Sequence, residues 1–132
     1  MPTVLIVDDS ESVRISIRAF FEAEPDFSVI GEAVNGLDAI SKADELLPEL
    51  IILDLSMPIM NGLEAAETLK SSLPATPIFV LTAHGGPEVD RAARAAGVDG
   101  VYAKGDNMRK MIDDARTLFS TRKQKKGAAR GK

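Results

Sequence analysis

The stretch Leu50-Ile51-Ile52-Leu53-Asp54-Leu55-Ser56-Met57-Pro58-Ile59-Met60-Asn61-Gly62 decides how the rest of the chain is read. Leu50 to Leu53 run without a polar break into a single carboxylate. So short an unbroken apolar run reads as a strand buried on both faces, the pattern of a central parallel strand. Asp54 then stands at the strand's C-terminal end, where open α/β sheets place their ligands. Pro58 stops continuation, and Asn61-Gly62 brings the turn chemistry that launches a helix.

Outward from that strand the chain alternates strand and helix. Upstream, Thr3 to Val7 is an apolar strand ending in Asp8-Asp9, and Ser10 is placed to cap a helix striped by Val13, Ile17, Phe20 and Phe21. Pro25-Asp26 breaks that helix. Residues 27 to 33 are more mixed, with Ser28 and Glu32 inserted, which predicts an edge strand. Asn35-Gly36 turns into a second helix with Leu37, Ile40, Ala43 and Leu47 expected inward, closed by Pro48. Downstream, Leu63, Ala66, Leu69 and Leu73 stripe a third helix that Pro74 ends. Residues 77 to 81 form a buried strand delivering Thr82 to the same edge. Gly85-Gly86-Pro87 precedes a helix over 88 to 96 that Gly97 stops. Residues 100 to 103 form the fifth strand, ending at Lys104, and Met108, Met111, Ile112, Ala115, Leu118 and Phe119 stripe the last helix.

Five such units predict a flavodoxin-like, doubly wound (βα)5 three-layer α/β sandwich with a parallel five-stranded sheet. The edge-like second strand selects the order 2-1-3-4-5. Strands 1 and 3 then flank the switch point, so Asp8, Asp9 and Asp54 converge, with Thr82 and Lys104 arriving beside them.

Composition sets the frame. The 132 residues are 45% hydrophobic and 27% charged, as in an ordinary soluble globular domain. The chain has no cysteine, which removes disulfides, thiolate metal sites and a thiol nucleophile together. No apolar run reaches membrane-spanning length, and no basic segment precedes Val4, so the cytoplasm is the expected compartment. Residues 1 to 121 hold ten Lys and Arg against twenty Asp and Glu, or −10, whereas residues 122 to 132 carry six basic residues and no acid, or +6. We read residues 1–121 as the folded domain and 122–132 as a basic, disordered tail or linker.

Three carboxylates about 5 Å apart repel by roughly 3 kcal/mol per pair at an effective dielectric near 20. Such a cluster takes up protons or a cation. Oxygen ligands without His or Cys favour a hard ion, and an open site suits Mg²⁺. Asp54 has the character of a nucleophile that accepts a phosphoryl group as an acyl phosphate, with Lys104 and the cation compensating charge. A nucleotide-binding domain is disfavoured, because residues 7 to 12 lack a glycine-rich turn. An aspartate-nucleophile phosphatase would want a second acid at position 56, which is Ser56.

These residues resemble the receiver domain of bacterial two-component response regulators. The resemblance rests on Asp8-Asp9, Asp54 followed by Met57-Pro58 and Asn61-Gly62, Thr82-Ala83, and Tyr102 two before Lys104, and it covers residues 3 to 119. Residues 34–39 and 61–65 are similar to receivers attached to helix-turn-helix DNA-binding domains, which points to transcription regulation. The resemblance implies a phosphorylation-dependent signalling switch that is not a turnover enzyme. Asp54 would be the phosphoacceptor. Asp8, Asp9, Asp54 and the backbone carbonyl of Ser56 would hold Mg²⁺. Lys104 would pair with the phosphoryl group, Thr82 would sense it, and Tyr102 would turn inward behind Thr82.

The implied partners are a sensor histidine kinase or histidine phosphotransfer protein and a downstream effector. A second copy would meet it through the face of helix 4, strand 5 and helix 5. Neither membrane nor direct nucleic-acid contact is expected of this domain. The alternative is a degenerate receiver acting as a phosphorylation-independent interaction module, but none of the expected site residues is missing. Two positions depart from the pattern or vary: Gly105 follows Lys104 where such domains often have a cis proline, and His84 lies two residues past Thr82. A trans bond is expected at Lys104–Gly105.

Overall fold

The structure, a computed structural model, describes residues 2–55, 62–83, 85–104 and 108–130, with side chains described as far as Ser120. Its elements are β1 (Thr3–Val7), α1 (Glu11–Glu22), β2 (Ser28–Ala33), α2 (Gly36–Leu46), β3 (Leu50–Asp54), α3 (Gly62–Ser72), β4 (Ile78–Thr82), α4 (Pro87–Ala95), β5 (Gly100–Ala103) and α5 (Met108–Arg130). The five strands form one parallel sheet in the order β2-β1-β3-β4-β5. This is the flavodoxin-like arrangement expected from the alternation of short apolar runs and amphipathic stretches.

The central strands are buried along their whole length because helices cover both faces. Every residue of β3 and β4 is buried, whereas only Ala33 of β2 is. Alternate residues feed two cores. Leu5, Val7, Ile51, Leu53, Ile78 and Val80 pack toward α2, α3 and α4. Val4, Ile6, Leu50, Ile52, Phe79 and Leu81 pack toward α1 and α5. Capping follows the sequence signals: Ser10 Oγ accepts from the Val13 amide, and Asn35 Oδ1 accepts from the Asp38 amide at 2.8 Å.

The helix faces differ from the expected stripes in three places. Leu37 and Leu47 point to solvent, 53% and 64% exposed, and the inward face of α2 is Ala39, Ile40, Ala43 and Leu46. Leu47 lies beyond the helix, as its left-handed cap at φ 48°, so it has left the apolar face. Phe20 is 42% exposed while Phe21 is fully buried, because the stripe of α1 centres on Ile17 and Phe21, four residues apart. The backbone of α5 runs from Met108 through Arg130. Lys, Arg, Gln and Ala all favour helix, and extending an existing helix avoids the cost of a new nucleus.

Gly97 ends the α4 region at φ +100°, a left-handed conformation that a side chain would strain. Among the described residues no helix is long and apolar enough to cross a membrane.

Candidate functional site

The register of the central strands assembles the site. Val7 pairs with Leu53, so the next residues along, Asp8 and Asp54, stand side by side at the C-terminal edge. Both are buried, Asp8 completely and Asp54 to within 2%, while Asp9 is exposed at the rim. Their carboxylate oxygens and that of Asp9 lie within 4.8 Å of one another. Asp8 Oδ1 accepts from the Ser10 amide at 2.9 Å, which fixes the carboxylate plane.

Lys104 enters from β5, two strands away from β3. Its amide donates to the Thr82 carbonyl at 2.9 Å, which ties the loop after β5 to the end of β4. Its Nζ lies 3.1 Å from Asp8 Oδ2 and 3.2 Å from Asp54 Oδ1. Burial pulls the ammonium pKa down. The contact with Asp8 and the charges of Asp54 and Asp8 outweigh that and hold it above the ordinary lysine value. Lys104 is therefore cationic throughout the neutral range.

The donor set fits Mg²⁺. Three carboxylates and one ammonium carry a formal charge of −2, the complement of a divalent ion. The ligand atoms are all hard oxygens. Asp8 Oδ2 is fully buried and, among the described residues, meets only the Lys104 ammonium, at 3.1 Å, so it retains a lone pair for a cation.

Thr82 closes β4, 5% exposed, and pairs with Ala103. A model of the response regulator receiver domain family matches residues 4–116, which contain all of these groups. The chain belongs to that family. Among curated relatives, the response regulator protein VraR of Staphylococcus aureus is 39% identical over 113 residues, covering 86% of this chain and 54% of VraR. The chain thus spans about half the length of the curated relatives it matches.

Among solved structures, a LuxR-family two-component response regulator from Aurantimonas sp. superposes with a TM-score of 0.86 at 25% identity, covering 92% of this chain and 86% of that one. The isolated receiver of RcsB from Salmonella enterica, solved with the phosphomimetic BeF3⁻, gives 0.80 at 26% identity, with 88% of each chain covered.

The receiver brings together Asp8, Asp9, Asp54 and Lys104, as expected, but not Tyr102 and Thr82. Tyr102 pairs with Leu81, and both belong to the α1/α5 core. Its ring sits 5.3 Å from that of Phe79, and its hydroxyl donates to Asp114 Oδ2 of α5 at 2.8 Å. Thr82 shares the parity of Val80, on the α4 side, where its neighbours on β5 are Val101 and Ala103. Alternation along the strands therefore sets the two side chains on opposite faces of the sheet. A cavity of about 380 Å³ at this end of β4 and β5 is lined in part by Thr82, Gly85, Asp90, Val101 and Tyr102. Burial, then the bond to Asp114, raises the phenol pKa beyond its ordinary value.

The Ser56 carbonyl, His84 and the Lys104–Gly105 bond lie outside the described residues. The part played by Gly62 exceeds the turn chemistry read from the sequence. Its amide donates to the Leu55 carbonyl at 3.0 Å, and a Cβ there would fall 2.4 Å from the Asp54 carbonyl oxygen. No local sequence signal announces so close an approach.

Proposed function

We propose that this receiver is a phosphorylation switch in which Asp54 takes a phosphoryl group from the phosphohistidine of a sensor kinase or histidine phosphotransfer protein. The observation that carries this reading is the buried Asp54 carboxylate 3.2 Å from Lys104 and grouped with two further acids at the strand edge. A carboxylate oxygen of Asp54 forms the new bond to phosphorus as the donor's phosphorus–nitrogen bond breaks. The imidazole nitrogen keeps that electron pair and takes up a proton, leaving an acyl phosphate on Asp54.

Lys104 faces the incoming phosphoryl oxygens and offsets their charge. Asp8, Asp9 and Asp54, with the Ser56 carbonyl, would hold Mg²⁺, which when bound supplies further charge neutralisation and alignment. Asp8, pinned by the Ser10 amide, keeps its second oxygen directed at the site. Water later cleaves the acyl phosphate slowly, resetting the domain without making it a turnover enzyme.

Thr82 reads the modification. A phosphorylated aspartate carries about two negative charges and new acceptor oxygens, and the Thr82 hydroxyl is drawn toward them. The cavity beside Thr82 and Val101 gives the end of β4 and α4 room to rearrange. The altered face of α4, β5 and α5 is what an effector or a second copy binds, and phosphorylation shifts an existing equilibrium toward it. In a longer regulator that effector is a DNA-binding domain, in keeping with the likeness of residues 34–39 and 61–65 to receivers attached to helix-turn-helix domains.

The test is labelling. Incubation with a small-molecule phosphodonor and Mg²⁺ is expected to add one phosphoryl group by intact mass, and Asp54→Asn is expected to add none. Equal labelling of the two proteins would remove Asp54 as the acceptor.

A further inference from the structure

Arg14 is a residue that the phosphorylation chemistry does not use and that is nevertheless built into the site. It lies in the first turn of α1, where its amide donates to the Ser10 carbonyl at 3.0 Å. Its side chain, 12% exposed, folds back under the β1–α1 corner. Nη1 donates to the backbone carbonyl oxygen of Asp8 at 2.6 Å, and Nε donates to Glu32 Oε1 of β2 at 2.9 Å. Glu32 is itself held, accepting from Arg18 Nη1 at 3.3 Å, while its backbone carbonyl accepts from Lys42 Nζ at 2.7 Å.

That carbonyl matters because of where it lies. The paired residues of β1 and β3 end at Val7 and Leu53, so the Asp8 carbonyl is past the ladder. It belongs to the peptide plane joining Asp8 to Asp9, and its orientation sets where the Asp9 side chain departs. The Asp8 amide is already fixed by the Ala33 carbonyl at 3.1 Å. Arg14 supplies the other half of the clamp, bridging the end of β1 to the edge strand. A guanidinium presents donors in two fixed directions and can hold both partners at once, which an ammonium on a flexible stem does poorly.

We propose that Arg14 is a positioning residue for the acid cluster: through the Asp8 carbonyl and Glu32 it holds the Asp8–Asp9 peptide so that the rim carboxylate of Asp9 converges on Asp8 and Asp54. The proposal rests on the reading of that cluster as the Mg²⁺ site. Its consequence has a diagnostic sign. Removing a positive charge near three carboxylates would by itself tighten cation binding. Releasing the peptide that orients one of them weakens it.

The test is Mg²⁺ titration of the whole chain, followed by the amide resonances of residues 8, 9 and 54, with melting curves recorded without metal to establish that each variant is folded. Arg14→Met is expected to bind Mg²⁺ about tenfold more weakly, the scale of losing a ligand-orienting contact. Arg14→Lys keeps the charge and loses the fork, and is expected to weaken binding severalfold. Arg18→Met removes a charge from Glu32 without touching Asp8, and is expected to bind as well as wild type or more tightly. Binding by folded Arg14→Met and Arg14→Lys at wild-type strength would overturn the proposal while leaving the metal reading intact. A loss in Arg18→Met equal to that in Arg14→Met would overturn it as well. Absence of Mg²⁺ binding by the wild-type chain would remove the metal reading and this proposal together.

Discussion

At Gly62 the chain returns to pass over the strand end that carries Asp54. A Cβ would lie 2.4 Å from the Asp54 carbonyl oxygen and 2.5 Å from Leu55 Cα, both backbone atoms that cannot rotate aside. Gly62→Ala must therefore displace the end of β3 or break the bond from the Gly62 amide to Leu55. Overpacking of this kind costs about 1–3 kcal/mol. We expect a melting temperature several degrees lower, together with slower phosphodonor labelling, because the displaced segment carries Asp54, the proposed acceptor. Gly85→Ala is the control, since its nearest neighbour would be Thr82 Cγ2 at an ordinary 3.7 Å. Equal melting temperatures for the two variants would show that the return of the chain tolerates a methyl group.

At the scale of elements, β5 and α5 are joined by a side-chain latch. Tyr102 donates to Asp114, which also accepts from Lys110 Nζ at 3.1 Å. The bond from Tyr102, ahead of the opposing cost of burial, holds the Asp114 carboxyl below its ordinary value. Tyr102→Phe keeps the ring against Phe79 and loses the donor, a change worth about 1 kcal/mol. Because the ring lies across the sheet from Thr82, the beryllofluoride-induced amide shifts over residues 85–104 are expected to survive in Tyr102→Phe. Thr82→Ala is expected to accept the phosphoryl group and lose most of those shifts. NMR spectra with and without beryllofluoride decide it. Loss of the response in Tyr102→Phe with retention in Thr82→Ala would reverse the assignment.

Over the whole molecule, ion pairs close α5 onto the corner between α1 and β2. Arg116 meets Glu24 at 2.7 Å and Asp26 at 2.9 Å, and Arg109 also pairs with Glu24. Hydrogen bonding to Arg109 and Arg116 depresses the Glu24 carboxyl, and bonding to Arg116 depresses that of Asp26, in both cases against a smaller cost of burial. A depressed carboxylate contributes stability that is present above its unfolded pKa, near 4, and is lost as pH falls through the lower folded value. The raised Lys104 ammonium and Tyr102 phenol act at the other limb. Their contributions are present below about pH 10 and lost as pH rises through the folded values.

Melting temperatures should therefore fall on both sides of a neutral plateau. Arg116→Ala should melt lower than wild type at pH 7, and the two curves should converge toward pH 2. Curves that stay parallel would mean that these surface pairs contribute nothing measurable, a common outcome for exposed pairs.

The sequence by itself determined the alternation, the strand order and the end of the sheet on which chemistry collects. Unbroken apolar runs, each closed by Asp8, Asp54, Thr82 or Lys104, are local patterns that owe nothing to distant contacts. Those acids and the lysine meet because every parallel strand delivers its last residue to the same edge. Which face a residue takes depends on register, and register belongs to the packed sheet. Thr82 pairs with Ala103, and that single relation places Tyr102 on the far side from Thr82, where counting back from Lys104 could not. The same holds for Leu37 and Leu47, which the rotation and end of α2 turn outward, and for Arg14, a basic residue on an amphipathic helix until the fold brings the Asp8 carbonyl and Glu32 beneath it. A single side chain's direction is settled by neighbours far away in the chain, so it becomes legible only once those neighbours are in place.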